Sequence, residues 1–155
     1  MNFDSNDVIM RKVTHSDVPY LYNNIYSKSA ITKPAGFRPY VCYLQMLLRY
    51  TTMLFEKKSC LRYVIVYKGE PVGTTTVYFN KINTLSCMLS DKVQNMGLGT
   101  YCVKRIIKDY FSITDSPIYA IIQITNTASI HLANKCGFKC NGYFDKKRFL
   151  FVLHA

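Results

Sequence analysis

The chain has 155 residues, 49% hydrophobic and 19% charged, so its length and composition are those of one globular domain over residues 1–155, not of a disordered segment. No run of about eighteen apolar residues is present, which argues against a membrane-spanning helix and a membrane partner. The first ten residues include Asp4 and Asp7 and lack an apolar stretch, so we predict no secretion signal and a cytoplasmic location.

The formal net charge of +11 is spread evenly along the chain. Residues 1–77 contain ten basic and five acidic residues, and residues 78–155 contain ten and four. A dedicated basic arm for nucleic acid is therefore not indicated. The positive charge favours anionic ligands and acidic partners, and by itself it does not separate a phosphorylated cofactor from RNA or a ribosomal surface.

Six cysteines occur, and we predict that they are reduced thiols because no secretion signal precedes them. Cys136 and Cys140 are four residues apart, a spacing that suits one face of a metal site. No second pair of Cys or His residues with ligand spacing accompanies them, so we predict no metal site.

The first half of the chain predicts one strand and two helices before a hairpin. Residues 8–14 alternate as a strand does, and Ser16 or Asp17 can cap a helix that has Pro19 in its first turn and ends near residue 27. After a Pro- and Gly-containing loop, a helix over residues 40–55 has apolar residues at helical spacing. These apolar residues are Leu44, Leu47, Leu48 and Leu54.

The second half is rich in strands. Residues 61–67, 72–79 and 82–89 predict three strands, the first two joined by a turn at Lys68-Gly69-Glu70. An amphipathic helix over 101–111, an apolar strand over 118–124, a helix over 126–136 ended by Gly137, and a last hairpin with its final strand at 149–153 follow. The predicted order is β-α-α-β-β-β-α-β-α-β-β.

A glycine-containing segment joins the third of these strands to the amphipathic helix. It reads Gln94-Asn95-Met96-Gly97-Leu98-Gly99-Thr100. Two glycines let the backbone turn tightly and approach a ligand, and the first amides of the next helix are unpaired donors at the positive end of its dipole. The segment lacks the Lys-Ser/Thr of a P-loop and the third glycine of a dinucleotide fingerprint, so a phosphate cradle and an ordinary strand-to-helix turn both fit it.

This segment resembles the Q/R-x-x-G-x-G/A signature of the GNAT acetyltransferases. Downstream, Asn126-Thr127-Ala128-Ser129 and Lys135-Cys136-Gly137-Phe138 resemble the second motif of that family, N-x-x-S followed by K-x-G-F. Both motifs stand in the family's order, each after a strand, and the resemblance covers residues 8–153. It implies an α+β (three-layer α/β) GNAT-type acyl-CoA N-acyltransferase fold, with a mixed, mostly antiparallel sheet of about seven strands and about four helices.

The resemblance also implies a cosubstrate, acetyl-CoA, and the residues that hold it. The end of the third strand, Cys87, Met88 and Leu89, would bind the pantetheine arm through its backbone. The amides of Gln94, Asn95, Met96, Gly97, Leu98, Gly99 and Thr100 would take the pyrophosphate. The side-chain amide of Asn126 would reach the pantetheine, and it can also cap the helix that follows.

By resemblance the reaction is a direct transfer, in which an amine attacks the thioester of acetyl-CoA. It needs a neutral amine, a backbone N–H that polarises the carbonyl, and a proton for the departing thiolate. Residues 82–89 contain no carboxylate to act as base. Many members of the family have a tyrosine acid at the position of Ala133. An arrangement without that tyrosine is similar to the RimJ/RimL-like branch, which acetylates protein N-termini. In that branch the motif serine, here Ser129, is the candidate acid, and a role in binding the backbone or CoA fits it equally. His131, two residues further along the helix, is expected on the surface, pointing elsewhere than Ser129.

Three functions remain open on these grounds. The first is acetylation of a protein or peptide N-terminus, including a ribosomal one. The second is acetylation of another amine, such as an aminoacyl-tRNA, a polyamine or an antibiotic. The third is a degenerate acyl-CoA-binding module. In this fold residues 31–40 and the hairpin 143–149 would wall the acceptor site, and pairing of two copies through the last strands is implied.

Overall fold

The computed structural model describes residues 3–36, 38–55 and 60–155, and for residues 52–55 the backbone alone. Phe37, in the expected acceptor loop, and the side chain of Leu54 therefore lie outside the described part. The seven strands are β1 (Val8–Arg11), β2 (Cys60–Tyr67), β3 (Glu70–Tyr78), β4 (Asn83–Leu89), β5 (Ile118–Gln123), β6 (Lys139–Asp145) and β7 (Arg148–Leu153).

These strands form one sheet in the order β1-β2-β3-β4-β5-β7-β6. Only the β4–β5 pair is parallel, and every other neighbouring pair is antiparallel. The β2–β3 turn has Lys68 and Gly69 at positive φ, as a tight hairpin requires. The predicted mixed, mostly antiparallel sheet of seven strands is confirmed.

The helices are α1 (Val18–Leu21), α2 (Ser29–Thr32), α3 (Tyr43–Phe55), α4 (Leu98–Phe111) and α5 (Thr127–Lys135). One π turn, Tyr22–Tyr26, continues α1, and short 3-10 turns lie at Ser5–Asp7, His15–Asp17 and Asp91–Val93. None of the helices in the described part is both long and apolar enough to cross a bilayer. All six cysteines are described, and none is in a disulfide.

Helices cover both faces of the sheet. On one face, Leu21, Ile25 and Met46 of the α1–α3 region are fully buried together with Val64 of β2. On the other face, Val103, Ile106 and Tyr110 of α4 pack against β3 and β5. The sheet is therefore the middle of three layers, as the fold class predicts.

Two local predictions need correction. The predicted apolar face of α3 is buried only in part: Leu47 packs against the core, but Leu44 and Leu48 are 60% and 61% exposed, whereas Met46 and Tyr50 are buried. Asp17 is the N-cap residue of α1, with Pro19 in the first turn as predicted, but its side chain makes no capping bond to that helix. The Asp17 carboxylate instead accepts from the Thr14 backbone N–H at 2.8 Å and closes the 3-10 turn His15–Asp17 that leads into α1.

Candidate functional site

A cleft opens where two parallel strands part. Strands β4 and β5 pair only at their first residues, Asn83 with Ile118 and Thr84 with Tyr119. Beyond these positions β4 stays bonded to β3, so its edge toward β5 has backbone groups free of strand pairing. Buried amide and carbonyl groups need partners, and a peptide-like ligand lying in this opening can supply them.

Two adjoining clefts occupy this opening. The first, between the strands, is lined by Leu85, Ser86 and Cys87 of β4 and by residues 120–123 of β5. The second continues past the end of β4 to the glycine segment and α5 and has a volume of about 550 Å³. Cys87, Asn126 and Ser129 line both clefts. An elongated ligand can therefore lie along the two clefts as one site.

The glycine segment forms the floor of the second cleft at the start of α4. Gly97 precedes the helix with φ +91°, and Asn95 also has positive φ (62°), so the backbone turns sharply at both positions. The predicted residues that line the cleft here are Gln94, Asn95, Gly97, Gly99 and Thr100. The amides of the first helical turn can face a ligand where the backbone is uncovered, and Gly97 is exposed while Gly99 is partly exposed.

Two predicted members of the segment point away from the cleft. Leu98 is fully buried, and Met96 packs against the same apolar cluster, which includes Val72 and Cys102. Their side chains anchor the segment to the sheet, so only their backbone groups are available to a ligand.

The end of β4 is linked to the glycine segment. The side-chain amide of Gln94 donates to the Leu89 carbonyl at 3.1 Å. Met88 packs on the α1–α3 side of the sheet, and Cys87 faces the clefts. Burial raises the pKa of the Cys87 thiol to about 12, so it is protonated at neutral pH and is not a nucleophile.

Asn126 performs two tasks at once. Its side-chain oxygen accepts from the Ser129 backbone N–H at 3.1 Å and so caps α5, as predicted. Its Nδ2 donates to the Pro34 carbonyl at 2.8 Å. The neighbouring Gln123 donates from Nε2 to the Lys33 carbonyl at 2.8 Å. These two amides hold the loop after α2 over the clefts, which Pro34 and Ala35 both line.

The chemistry of the α5 wall is sparse. Ser129 is half-buried at the cleft, and Ala133, which has 5% exposure, lines the first cleft where a tyrosine would fill it. His131 is exposed as expected, but it lines the second cleft instead of pointing elsewhere. Among the described residues, no group of three His, Cys, Asp or Glu side chains could hold a metal ion.

The acceptor side includes residues that the sequence did not single out. Tyr78, Thr84 and Ser86 line the first cleft from β3 and β4. Of the predicted hairpin wall only Arg148 reaches the cleft, since Tyr143 is 71% exposed on the outer strand. Tyr78 and Thr84 are cross-strand neighbours in the register of β3 and β4. The sequence alone does not give that register, so it could not identify them.

Comparisons with known proteins identify the family. Residues 7–139 match the family model described as an acetyltransferase (GNAT) domain. No curated protein sequence matches the chain significantly. Solved structures of similar fold include spermidine N-acetyltransferase from Vibrio cholerae in complex with CoA and spermine, at 18% identity and TM-score 0.77, covering 96% of this chain and 93% of that one.

Two further structures have the same fold. Aminoglycoside acetyltransferase AAC(6')-Ib in complex with coenzyme A has 20% identity and TM-score 0.78, with coverage of 95% and 94%. The Salmonella typhimurium acetyltransferase that modifies the N-terminal serine of ribosomal protein L7/L12 has 16% identity and TM-score 0.80, with coverage of 97% and 96%. At these identities the likeness establishes the fold, and the domain match establishes the family. The chain belongs to the GNAT acetyltransferase family and is an acetyl-CoA-dependent N-acetyltransferase.

Proposed function

We propose that this enzyme acetylates the α-amine of a protein or peptide N-terminus. The observation that carries the proposal is the lack of any carboxylate among the described residues that line the two clefts. Spermidine and aminoglycosides carry several positive charges, and a site for them is expected to provide negative ones. This site offers neutral and basic groups, on a chain of net charge +11.

The lack of a carboxylate base among the described cleft residues also favours an α-amine. An α-amine has a pKa near 7.7–8.0, whereas a lysine or other alkyl amine has one near 10.4. At pH 7.4 about a quarter of the former is neutral and ready to attack, against about one part in a thousand of the latter. Desolvation in a positively charged cleft lowers the pKa of the amine further. An α-amine therefore needs less help from a base.

We propose one orientation for the cosubstrate in the clefts. The open edge of β4 at Cys87, Met88 and Leu89 would hold the peptide-like pantetheine arm. The amides from Gln94 to Thr100 would hold the pyrophosphate, and the Asn126 side chain would add a polar contact to the arm. Acetyl-CoA supplies the activated acetyl group when it is bound.

Ser129 is the proposed proton donor. It stands at the junction of the two clefts, beside the space that Ala133 leaves open. Its hydroxyl can give a proton to a departing thiolate, and the Leu89 region can offer a backbone N–H to the developing oxyanion.

Two copies paired through the last strands remain part of the proposal, since β6 is the edge of the sheet.

Thiol release from acetyl-CoA tests the acceptor class. The acceptors are N-terminal hexapeptides, the same peptides with a blocked N-terminus and one internal lysine, spermidine, an aminoglycoside and an aminoacyl-tRNA. We expect the free N-terminal peptides to give the highest kcat/KM and the blocked peptides to give none above background. A higher kcat/KM with spermidine or the aminoglycoside would overturn the α-amine proposal, and a preference for aminoacyl-tRNA would move it to that substrate.

A further inference from the structure

An arginine is half-buried beside the acceptor side of the site. Arg62 of β2 pairs in register with Thr76 of β3, and Thr76 pairs with Ser86 of β4, which lines the first cleft. The Arg62 Nε donates to the Thr76 hydroxyl at 3.2 Å. Its guanidinium carbon lies 5.6 Å from the centre of the Tyr78 ring, and Tyr78 also lines that cleft. The arginine therefore lies next to the acceptor site.

No carboxylate among the described residues pairs with Arg62. The ion pairs found there join Arg11 to Asp17, Lys28 to Asp91, Arg105 to Asp109 and Arg148 to Asp145. The described groups that interact with Arg62 include tyrosines, Thr76 and Cys60, and none of these is a carboxylate. Partial removal of a guanidinium from water is costly when no counter-charge accompanies it, as among the described residues here, and an anionic ligand would offset this cost.

A second polar group in the same region lacks a partner. The Tyr50 hydroxyl of α3 is buried and has no hydrogen-bond partner in the described part of the chain. Tyr50 packs in one apolar cluster with Val64 of β2, and Arg62, two residues before Val64 on that strand, is on the same face of the sheet. In keeping with this placement, Arg62 opposes the rise that burial causes in the pKa of Tyr50. Within the described ranges the Tyr50 hydroxyl has no acceptor and the Arg62 guanidinium has no anion, and both groups are complementary to the same ligand group, a carboxylate.

The separation from the cleft sets where that carboxylate sits on the acceptor. Adjacent strands lie about 4.8 Å apart, so the backbones of Ser86 and Arg62, two strands apart, are about 10 Å from each other. An extended peptide advances about 3.4 Å per residue, so this backbone distance corresponds to about three residues, and the lengths of the Arg62 side chain and of the acceptor side chain shorten the span that the acceptor backbone must cover. An acceptor whose N-terminus is in the first cleft can therefore present its second or third side chain to Arg62.

We propose that Arg62, with the Tyr50 hydroxyl, binds a carboxylate of the acceptor, so that the enzyme selects N-termini with Asp or Glu at the second or third residue. This inference rests on the proposed function. It adds a substrate class to it, an acidic peptide, and assigns Arg62 to specificity and not to the transfer step. A bond between ionised partners corresponds to about a 10- to 100-fold preference over the neutral amide isostere.

Matched peptides test the inference. Hexapeptides that differ only by Asp or Asn, or Glu or Gln, at residue two or three are acetylated by the wild type and by the Arg62→Gln, Arg62→Lys and Arg105→Gln variants. We expect the wild type and Arg105→Gln, which removes an exposed charge on α4, to prefer the acidic peptides by at least 10-fold in kcat/KM. Arg62→Gln should lose the preference with little change on the amide peptides, and Arg62→Lys should keep part of it.

Several outcomes overturn the inference. Equal use of acidic and amide peptides by the wild type does so, and so does an undiminished preference in Arg62→Gln. Thermal melting checks that Arg62→Gln folds. The Tyr50→Phe variant, which deletes one hydroxyl, is a second test of carboxylate binding. It should weaken acidic peptides alone if the hydroxyl binds them. Unchanged selectivity in Tyr50→Phe would remove that hydroxyl from the site.

Failure of the proposed function gives a different result. If no peptide is acetylated while another amine is, the α-amine proposal fails. Arg62 is then tested by titrating N-acetylated Ser-Asp and Ser-Asn hexapeptides against wild type and Arg62→Gln, which needs no turnover. Tighter binding of the acidic peptide to the wild type only would support the inference, and equal affinities would overturn it. Acetylation of free amino acids but not of their amides would show that the carboxylate bound by Arg62 belongs to a small-molecule acceptor, and it would overturn the peptide assignment.

Discussion

The side chain of Asn126 joins the cap of α5 to the loop that covers the cleft, because its Nδ2 donates to the Pro34 carbonyl at 2.8 Å. The same residue accepts from the Ser129 N–H, and Gln123 reinforces the loop through Lys33. Strand β5, helix α5 and the loop after α2 are thus one connected wall. Substitutions at Gln123 and Asn126 therefore distinguish the contribution of the loop from the binding of the cofactor.

Gln123→Ala removes a loop bond and leaves the α5 cap intact. Since a hydrogen bond contributes about 0.5–1.5 kcal/mol net, we expect KM for the acceptor to rise about 3- to 10-fold, with the Kd of acetyl-CoA unchanged. Steady-state kinetics and calorimetric titration of CoA measure the two quantities. A loss of CoA affinity equal to the rise in KM would contradict a role limited to the loop.

Asn126→Ala and Asn126→Asp divide the two tasks of that side chain. The alanine loses the cap and the loop bond, so we expect unfolding to become easier by about 1 kcal/mol and CoA to bind more weakly. The aspartate keeps an oxygen for the Ser129 N–H but has no N–H for Pro34. It should therefore melt close to the wild-type temperature and still bind CoA weakly. Equal melting temperatures for alanine and aspartate would contradict the capping role.

Gly97→Glu tests the phosphate cradle. Any side chain at φ +91° is strained, so Gly97→Gln is the matched control that has the same strain without the charge. We expect the glutamine variant to bind CoA modestly more weakly and the glutamate variant to lose CoA binding, since a carboxylate would then stand where the pyrophosphate is proposed to sit. Titration of CoA against both variants measures this, and equal affinities would remove the pyrophosphate from this position.

Most of the fold follows from patterns within single segments of the sequence. The Val-, Ile- and Tyr-rich residues 61–67 and the amphipathic helix over residues 101–111 both gave correct elements, because both signals are local. The exposure of Leu44 and Leu48 on α3 was not predictable in this way. Met46 and Tyr50 are buried because the π turn and α1 pack across that face, which is a tertiary effect.

The cofactor side of the site was also more visible than the acceptor side. Glycines and an N-cap asparagine lie in contiguous motifs, so their spacing identifies them. Tyr78 lines the cleft and Arg62 lies beside Tyr78 only through the register of three strands, and Pro34 is held there by a bond from Asn126, 92 residues away in sequence. Contacts between such distant residues leave no periodic signal in one sequence.

Ser129→Ala tests the proposed acid. If the hydroxyl gives its proton to the thiolate, kcat should fall about 100-fold while the Kd of acetyl-CoA changes little, which is the typical size of general-acid catalysis. If it only binds CoA, the Kd should rise and kcat should change little. Ala128→Ser, on the neighbouring position, is a control for the added or lost hydroxyl on this helix. Pre-steady-state thiol release separates the chemical step from product release.

The Arg11–Asp17 pair governs stability at low pH. Asp17 is buried, and its carboxylate accepts from both guanidinium Nη atoms of Arg11 at 2.8 Å and from the Thr14 N–H. Burial raises the pKa of Asp17, but the bonds from Arg11 and Thr14 outweigh it, so the folded-state pKa lies below its ordinary value. Because the folded pKa is depressed, this stabilisation is complete above the unfolded-state pKa of about 3.9 and is lost as the pH falls below it. Asp17→Asn should therefore lower the free energy of unfolding by about 2 kcal/mol at pH 7, and the difference from wild type should shrink toward pH 3. Urea unfolding at pH 7, 5, 4 and 3 measures this, with the exposed Asp115→Asn as control, and a difference that stays constant across the series would show that Asp17 acts by packing and not by its charge.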